Sequence, residues 1–159
     1  EWFQHGELHW DGDLPAIILT NGAREWWKNG LRHRDGDLPA VIYADGSQFW
    51  YKGKKHRDGD FPAKICEDLQ WWYQHGELHR DGDLPAVIKA DGSQFWYKDG
   101  LRHRDGDLPA EIRANGERRW YQHGELHRDG DLPAEIWADG SQFWYQHGES
   151  CTGMGTSRP

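Results

Sequence analysis

WWYQHGELHRDGDLPAVIKADGSQ, running from Trp71 to Gln94, decides the fold, because the chain repeats it on a fixed beat. Trp2, Trp26, Trp50, Trp72, Trp96, Trp120 and Trp144 are spaced by 24 residues, with one step of 22. Pro15, Pro39, Pro62, Pro85, Pro109 and Pro133 follow the same beat at steps of 23 or 24 residues. Self-similarity at such a period marks a repeat architecture, in which each unit is one small motif that buries its apolar face against its neighbours. The copies read as 1–24, 25–48, 49–70, 71–94, 95–118, 119–142 and a partial 143–148. Together they form a single repeat domain over 1–148, and residues 149–159 follow as a polar tail. The third copy is the irregular one, with a residue missing from each hairpin turn and Glu67-Asp68-Leu69 where others carry Ala-Asp-Gly-Ser.

The unit reads as β. Asp45-Gly46, Asp91-Gly92, Asn115-Gly116 and Asp139-Gly140 separate short β-prone runs. Such pairs favour two-residue hairpins in which both central residues take positive φ. A second glycine turn follows each aromatic run, as at His75-Gly76 and His123-Gly124. No window carries a 3.6-residue apolar stripe, and Gly and Pro recur too often for helices. The expected unit is an aromatic strand (Gln94–Tyr97 in the fifth copy), a tight turn, and an irregular return. That return holds the His-Arg-Asp-Gly-Asp bend and the Pro-Ala-x-Ile strand. Alternation then assigns faces. Ala86, Ile88, the repeating Trp and the Leu of the Asp-Gly-Asp-Leu loop fall on a packing side. The variable positions Ile17, Val41, Lys64, Val87, Glu111 and Glu135 fall on the other, with the Phe and Tyr residues. The fold class expected is all-β: tandem hairpins of about 24 residues forming an elongated, twisted antiparallel sheet.

Composition narrows the function. A net charge of −8 disfavours nucleic acid and anionic membrane surfaces, which select for excess Lys and Arg. No apolar stretch is long enough for a transmembrane segment. The two cysteines, Cys66 and Cys151, do not follow the repeat, so they define no disulfide framework. No signal peptide is evident and the compartment is not legible. The chain opens at Glu1 in phase with the repeat, consistent with a fragment or a processed product.

The pattern Trp-x-x-x-Gly-x-x-His-x-x-Gly ending in Ala-Asp-Gly is similar to MORN repeats. The fuller string WYxxGxxHRDGDLPAxIxADG resembles the MORN-variant repeats of giant DNA viruses, phages and bacteria. The resemblance covers residues 1 to about 148 and implies stacked β-hairpins that act in scaffolding and protein contact, without catalysis or a cofactor; one setting it implies is a viral structural component. Asp-Gly-Asp-Leu-Pro stands where that family usually has Gly-x-Gly, so membrane-lipid binding is not implied.

Two constellations carry chemistry. The Asp-Gly-Asp loops supply Asp11 and Asp13, Asp35 and Asp37, Asp58 and Asp60, Asp81 and Asp83, Asp105 and Asp107, and Asp129 and Asp131. Carboxylates beside a glycine bend can hold Ca²⁺, each loop acting alone, because equivalent loops two strands apart are roughly 10 Å from one another. The simpler reading makes them turns whose carboxylates are neutralised by Arg34, Arg57, Arg80, Arg104 and Arg128, with His capping a backbone group. An enzyme is not expected, because an active site is one asymmetric pocket and these residues recur in every copy. The second constellation is the aromatic face: Trp27, Tyr43, Phe49, Tyr51, Trp71, Tyr73, Phe95, Tyr97, Tyr121, Trp137, Phe143 and Tyr145. Aromatic patches are favoured in interfaces, so the expected function is a non-enzymatic scaffold that binds protein partners or itself. Carbohydrate binding by stacked rings and calcium stabilisation are the alternatives.

Overall fold

A computed structural model describes residues 1–10 and 12–151. Among them there is no helix; the fold is all-β and built from antiparallel hairpins. The chain divides into two compact units, Glu1–Glu77 and Leu78–Pro159. In the first, strands lie side by side in the order Ile17–Ile18, Arg24–Glu25, Val41–Ile42, Gln48–Phe49, Lys64–Cys66 and Leu69–Trp71. In the second the order is Val87–Ile88, Gln94–Phe95, Glu111–Ile112, Arg118–Arg119, Glu135–Ile136 and Gln142–Phe143.

The expected aromatic strand Gln94–Tyr97 is two strands. Gln94–Phe95 stays in the sheet, whereas Tyr97–Lys98 pairs with Leu101–Arg102 in a separate two-stranded hairpin. The break falls at the repeating tryptophan. Trp96 N–H donates to the Ala110 carbonyl at 2.8 Å, but its own carbonyl turns to accept the His103 N–H at 3.2 Å. Trp26, Trp50 and Trp120 divide their backbone bonds in the same way. Every complete unit is therefore a sheet hairpin and a satellite hairpin hinged at a tryptophan. The last satellite hairpin, Tyr145–Gln146 with Glu149–Ser150, runs past the boundary expected at 148. The rest of the expected tail, 152–159, lies outside the described residues.

Turn chemistry also differs from expectation in its assignment. The two-residue turn with two positive φ values belongs to the satellite hairpin, as at His123 (φ 49°) and Gly124 (φ 90°). In the sheet hairpins of the regular copies only the glycine is left-handed, whereas in the third copy that conformation falls on Glu67 (φ 49°). Gly92 has φ 86°, its N–H donates to the Lys89 carbonyl, and Lys89 N–H donates to Ser93. That is a type I turn closed by a left-handed glycine, a three-residue loop. Asp91 is held in it because its carboxylate accepts the Ser93 N–H at 2.8 Å. The third copy has lost a residue here, and Cys66 faces Leu69 directly across a two-residue turn.

The face assignment needs the largest correction. Ala16, Ala40, Ala63, Ala86, Ala110 and Ala134 are fully buried, and Trp26, Trp50, Trp72, Trp96 and Trp120 nearly so. The Ile side, however, is half-open: Ile18 is exposed, and Ile42, Ile88 and Ile112 are only half-buried. The variable positions are the buried ones. Val41, Val87, Phe95, Glu25, Glu111 and Glu135 are all buried, and Glu111 is completely so. Register explains this. In the first unit Ile17, Glu25, Val41, Phe49, Lys64 and Trp71 face one another in succession across the strands. In the second, Val87, Phe95, Glu111, Arg119, Glu135 and Phe143 do the same. The satellite hairpins cover this row with cationic and aromatic side chains. Arg102 lies 5.2 Å from the centroids of both Phe95 and Tyr121.

Charge variation along the row is compensated. Glu111 takes ion pairs from Arg102, from Arg113 at 2.6 Å and from Arg119 at 3.4 Å. Arg119 also reaches Glu135 at 2.6 Å. In the first unit Arg32 grips both oxygens of Glu25 at 3.2 Å, and Trp27 donates its indole N–H to the same carboxylate at 2.9 Å. Removing one member of a buried charge cluster leaves its partners uncompensated. Glu111→Gln is therefore expected to lower stability by roughly 2–4 kcal/mol in urea unfolding. Glu117→Gln, which removes one ion-pair partner of the more exposed Arg113 and retains an acceptor for Asn115, should cost less. Equal losses would contradict a buried role for Glu111.

Candidate functional site

The His-Arg-Asp-Gly-Asp-Leu loop is the densest polar feature of the chain, and its side chains join each repeat to the one before. Arg104 shows the pattern. Its guanidinium carbon lies 3.9 Å from the Trp96 ring centroid. Its Nε and Nη2 donate to the two oxygens of Asp83, one repeat earlier, at 2.7 and 2.9 Å. Its Nη1 donates to the Pro109 carbonyl at 3.2 Å. Arg34, Arg57 and Arg128 repeat the three contacts on Trp26 with Asp13, Trp50 with Asp37 and Trp120 with Asp107. A planar fork is required, since stacking and bidentate pairing must be satisfied together. The indole N–H of Trp96 in turn donates to the Asp83 carbonyl at 3.1 Å, so residue 83 is held at both its backbone and its side chain.

The first aspartate of each loop is held within its own copy. Asp105 accepts from His103 Nε2 at 2.8 Å and from Lys98 at 3.2 Å. Asp35 and Asp58 each have the corresponding His and Lys, and Asp129 has His127 and Gln122. The histidine faces forward as well. His103 Nδ1 accepts the His123 backbone N–H at 3.1 Å, and the two rings lie 4.8 Å apart. His127 with His147 and His56 with His75 repeat this. An Nδ1 that accepts cannot carry a proton, which leaves Nε2–H to serve the aspartate.

These contacts settle where the expected site residues sit. Asp13, Asp37, Asp83 and Asp107 are each engaged through both oxygens by an arginine of the following copy. Asp60 and Asp81 are engaged too. The Asp131 carbonyl accepts the Trp144 indole at 3.4 Å, and Asp11 lies outside the described residues. Among the described residues no three His, Cys, Asp or Glu side chains converge as a metal site. Of the expected aromatic face, Phe95 is buried, Phe49, Trp71 and Phe143 are half-buried in the row described above, and Trp27, Tyr51, Tyr73, Tyr97, Tyr121 and Tyr145 are half-buried on the satellite hairpins. Only Tyr43 and Trp137 are open, edge-on to Phe49 and tilted on Phe143 respectively.

No family model matches the chain, and no curated protein sequence matches it. Its surface must therefore be read from the geometry alone. Shallow clefts lie between successive loops. One of about 220 Å³ is bounded by Leu84, Trp96, Lys98 and His103, and another of about 410 Å³ by Leu14, Trp26, Lys28 and Leu38. The loop leucine forms the lip of each. Leu14, Leu38, Leu84, Leu108 and Leu132, with Phe61 in the third copy, are between 41% and 58% exposed. Sequence reasoning placed this leucine in the core. The signal it missed is that the residue follows a bend whose two aspartates already serve as anchors, which turns the next side chain outward.

Hydrogen bonds from Arg57, Arg104 and Arg128 hold Asp37, Asp83 and Asp107 below the ordinary aspartate value of 3.8. A carboxyl depressed in the folded state binds protons more readily once unfolded. Its contribution is thus complete above the unfolded value and is lost as pH falls through it toward the folded one. Urea midpoints should accordingly fall as pH drops below about 4, and fall less steeply in Arg104→Gln, which has already lost one clamp. A midpoint unchanged down to acid pH would refute the clamp. At neutral pH Arg104→Lys should cost roughly 1–3 kcal/mol, because an ammonium cannot stack and pair bidentately at once. Thermal unfolding of the two proteins side by side measures it.

Proposed function

We propose that the protein is a non-enzymatic scaffold of MORN-like type that engages protein surfaces, including those of its own copies, through the leucine-lipped edge of its loops. The observation that carries this is the division of labour within each loop. The groups capable of chemistry are spent on joining repeats, and the one large apolar residue left over faces solvent once per copy. A periodic apolar row flanked by charge suits a partner that repeats at similar spacing, and patches of this kind mark association surfaces in soluble proteins. Tyr43 and Trp137, the two open rings of the expected aromatic face, are the aromatic additions to such a surface. Calcium would have to displace guanidinium groups already seated on both carboxylate oxygens.

Self-association is the form tested most directly. The wild-type protein is expected to gain mass with concentration in sedimentation equilibrium. A variant combining Leu38→Lys and Leu108→Lys should remain monomeric with an unchanged melting temperature, because neither side chain is buried. A wild type that is monomeric at every concentration and indistinguishable from the variant would remove this form of the proposal.

A further inference from the structure

Within the first unit, the third copy breaks the charge matching that governs the buried row. In the fifth copy Arg102 pairs with Glu111, nine residues further on. In the second copy Arg32 takes Glu25. In the third copy the satellite cation is Lys55, and nine residues on stands Lys64. Both ammonium groups are directed to one ring: Lys55 Nζ lies 5.9 Å and Lys64 Nζ 5.4 Å from the Phe49 centroid. Lys64 is also 4.0 Å from the Trp71 centroid and Lys55 5.0 Å from that of Tyr73. Both lysines are half-buried, and among the described residues neither has a carboxylate in ion-pair range.

We infer that Lys55 and Lys64 form a binding site for a small oxyanion, a carboxylate or a phosphate group, which supplies to the lysine pair the negative charge that Glu111 supplies to Arg102. The rings of Phe49, Trp71 and Tyr73 stabilise each ammonium by their quadrupoles but carry no net charge. Two like charges on one partly desolvated surface repel, and an anion between them removes the repulsion while gaining two charge-assisted hydrogen bonds. The lysine pair is strained in the expected sense: burial, and then the charge of Lys64, push the Lys55 amine below its ordinary value.

The site is tested on the intact chain by timed acetylation of lysines read by mass spectrometry. The arms are inorganic phosphate, acetate, and sodium chloride at matched ionic strength. Phosphate or acetate should slow acetylation of Lys55 several-fold and saturably, leave exposed Lys28 and Lys89 unaffected, and lose this effect in Lys64→Gln. Which of the two anions protects identifies the preferred group. Lys64→Glu supplies the anion internally, so it should raise the melting temperature and abolish any response to either ion. Equal labelling of Lys55 in all three arms, or a Lys64→Glu protein that is no more stable than the wild type, would overturn the assignment.

Discussion

A guanidinium held between an indole face and a carboxylate of the preceding repeat is the contact on which this structure depends. Each short strand pair, two or three residues long, has too little ladder to hold its own register. The arginine supplies what the ladder lacks. It spans two copies, orients the indole beneath it, and satisfies the proline carbonyl at the start of the next strand. The tryptophan can then act as the hinge at which the chain leaves the sheet for the satellite hairpin. Aromatic burial therefore does double duty: it removes apolar area from water, and it forms the platform for the charge that fastens neighbours together.

A second consequence of the hinge is the roofed row. Because the satellite hairpin folds over the sheet, positions that alternate toward the outside of an open hairpin lie under a cover. Buried carboxylates stand there in balanced groups: Glu111 sits among three arginines and Glu25 holds an arginine and an indole N–H. The first and second units realise the same cover differently, with aliphatic and aromatic residues prevailing in one and alternating charges in the other. The row is a mixed core in which buried carboxylates are matched by neighbouring arginines, and the Lys55–Lys64 pair is the departure from that matching.

Much of this was legible in the sequence, for identifiable reasons. The period, the all-β class and the glycine turns follow from spacing and from residues with few conformational options. The pairing of the Pro-Ala-x-Ile strand with Gln-Phe follows from the loop between them. What could not be read was the break at Trp96, because two adjacent two-residue strands and one four-residue strand share the same alternation. From that miss came the inverted faces: variability at Val41, Lys64, Val87 and Glu111 resembles a solvated surface until the covering hairpin is placed. The role of the Asp-Gly-Asp loop was half legible. Neutralisation by arginine was expected, but the partner lies about one repeat away, and no spacing rule within a single copy points to it. The outward leucine was hidden for the same reason.

The clamp also bears on how such a chain changes length over generations. Its arginine looks backward and its aspartate is offered forward, so every interior copy presents the same socket at one end and the same plug at the other. Unequal recombination that drops or duplicates a whole copy would bring a plug and a socket together again without any further substitution. The first copy is the exception: Trp10 stands where the arginine would be and packs against Trp2, with ring centroids 4.3 Å apart. A junction formed at the N-terminal side of that copy would meet a ring in place of a fork, so an exchange there would break the plug-and-socket match that the other copies keep.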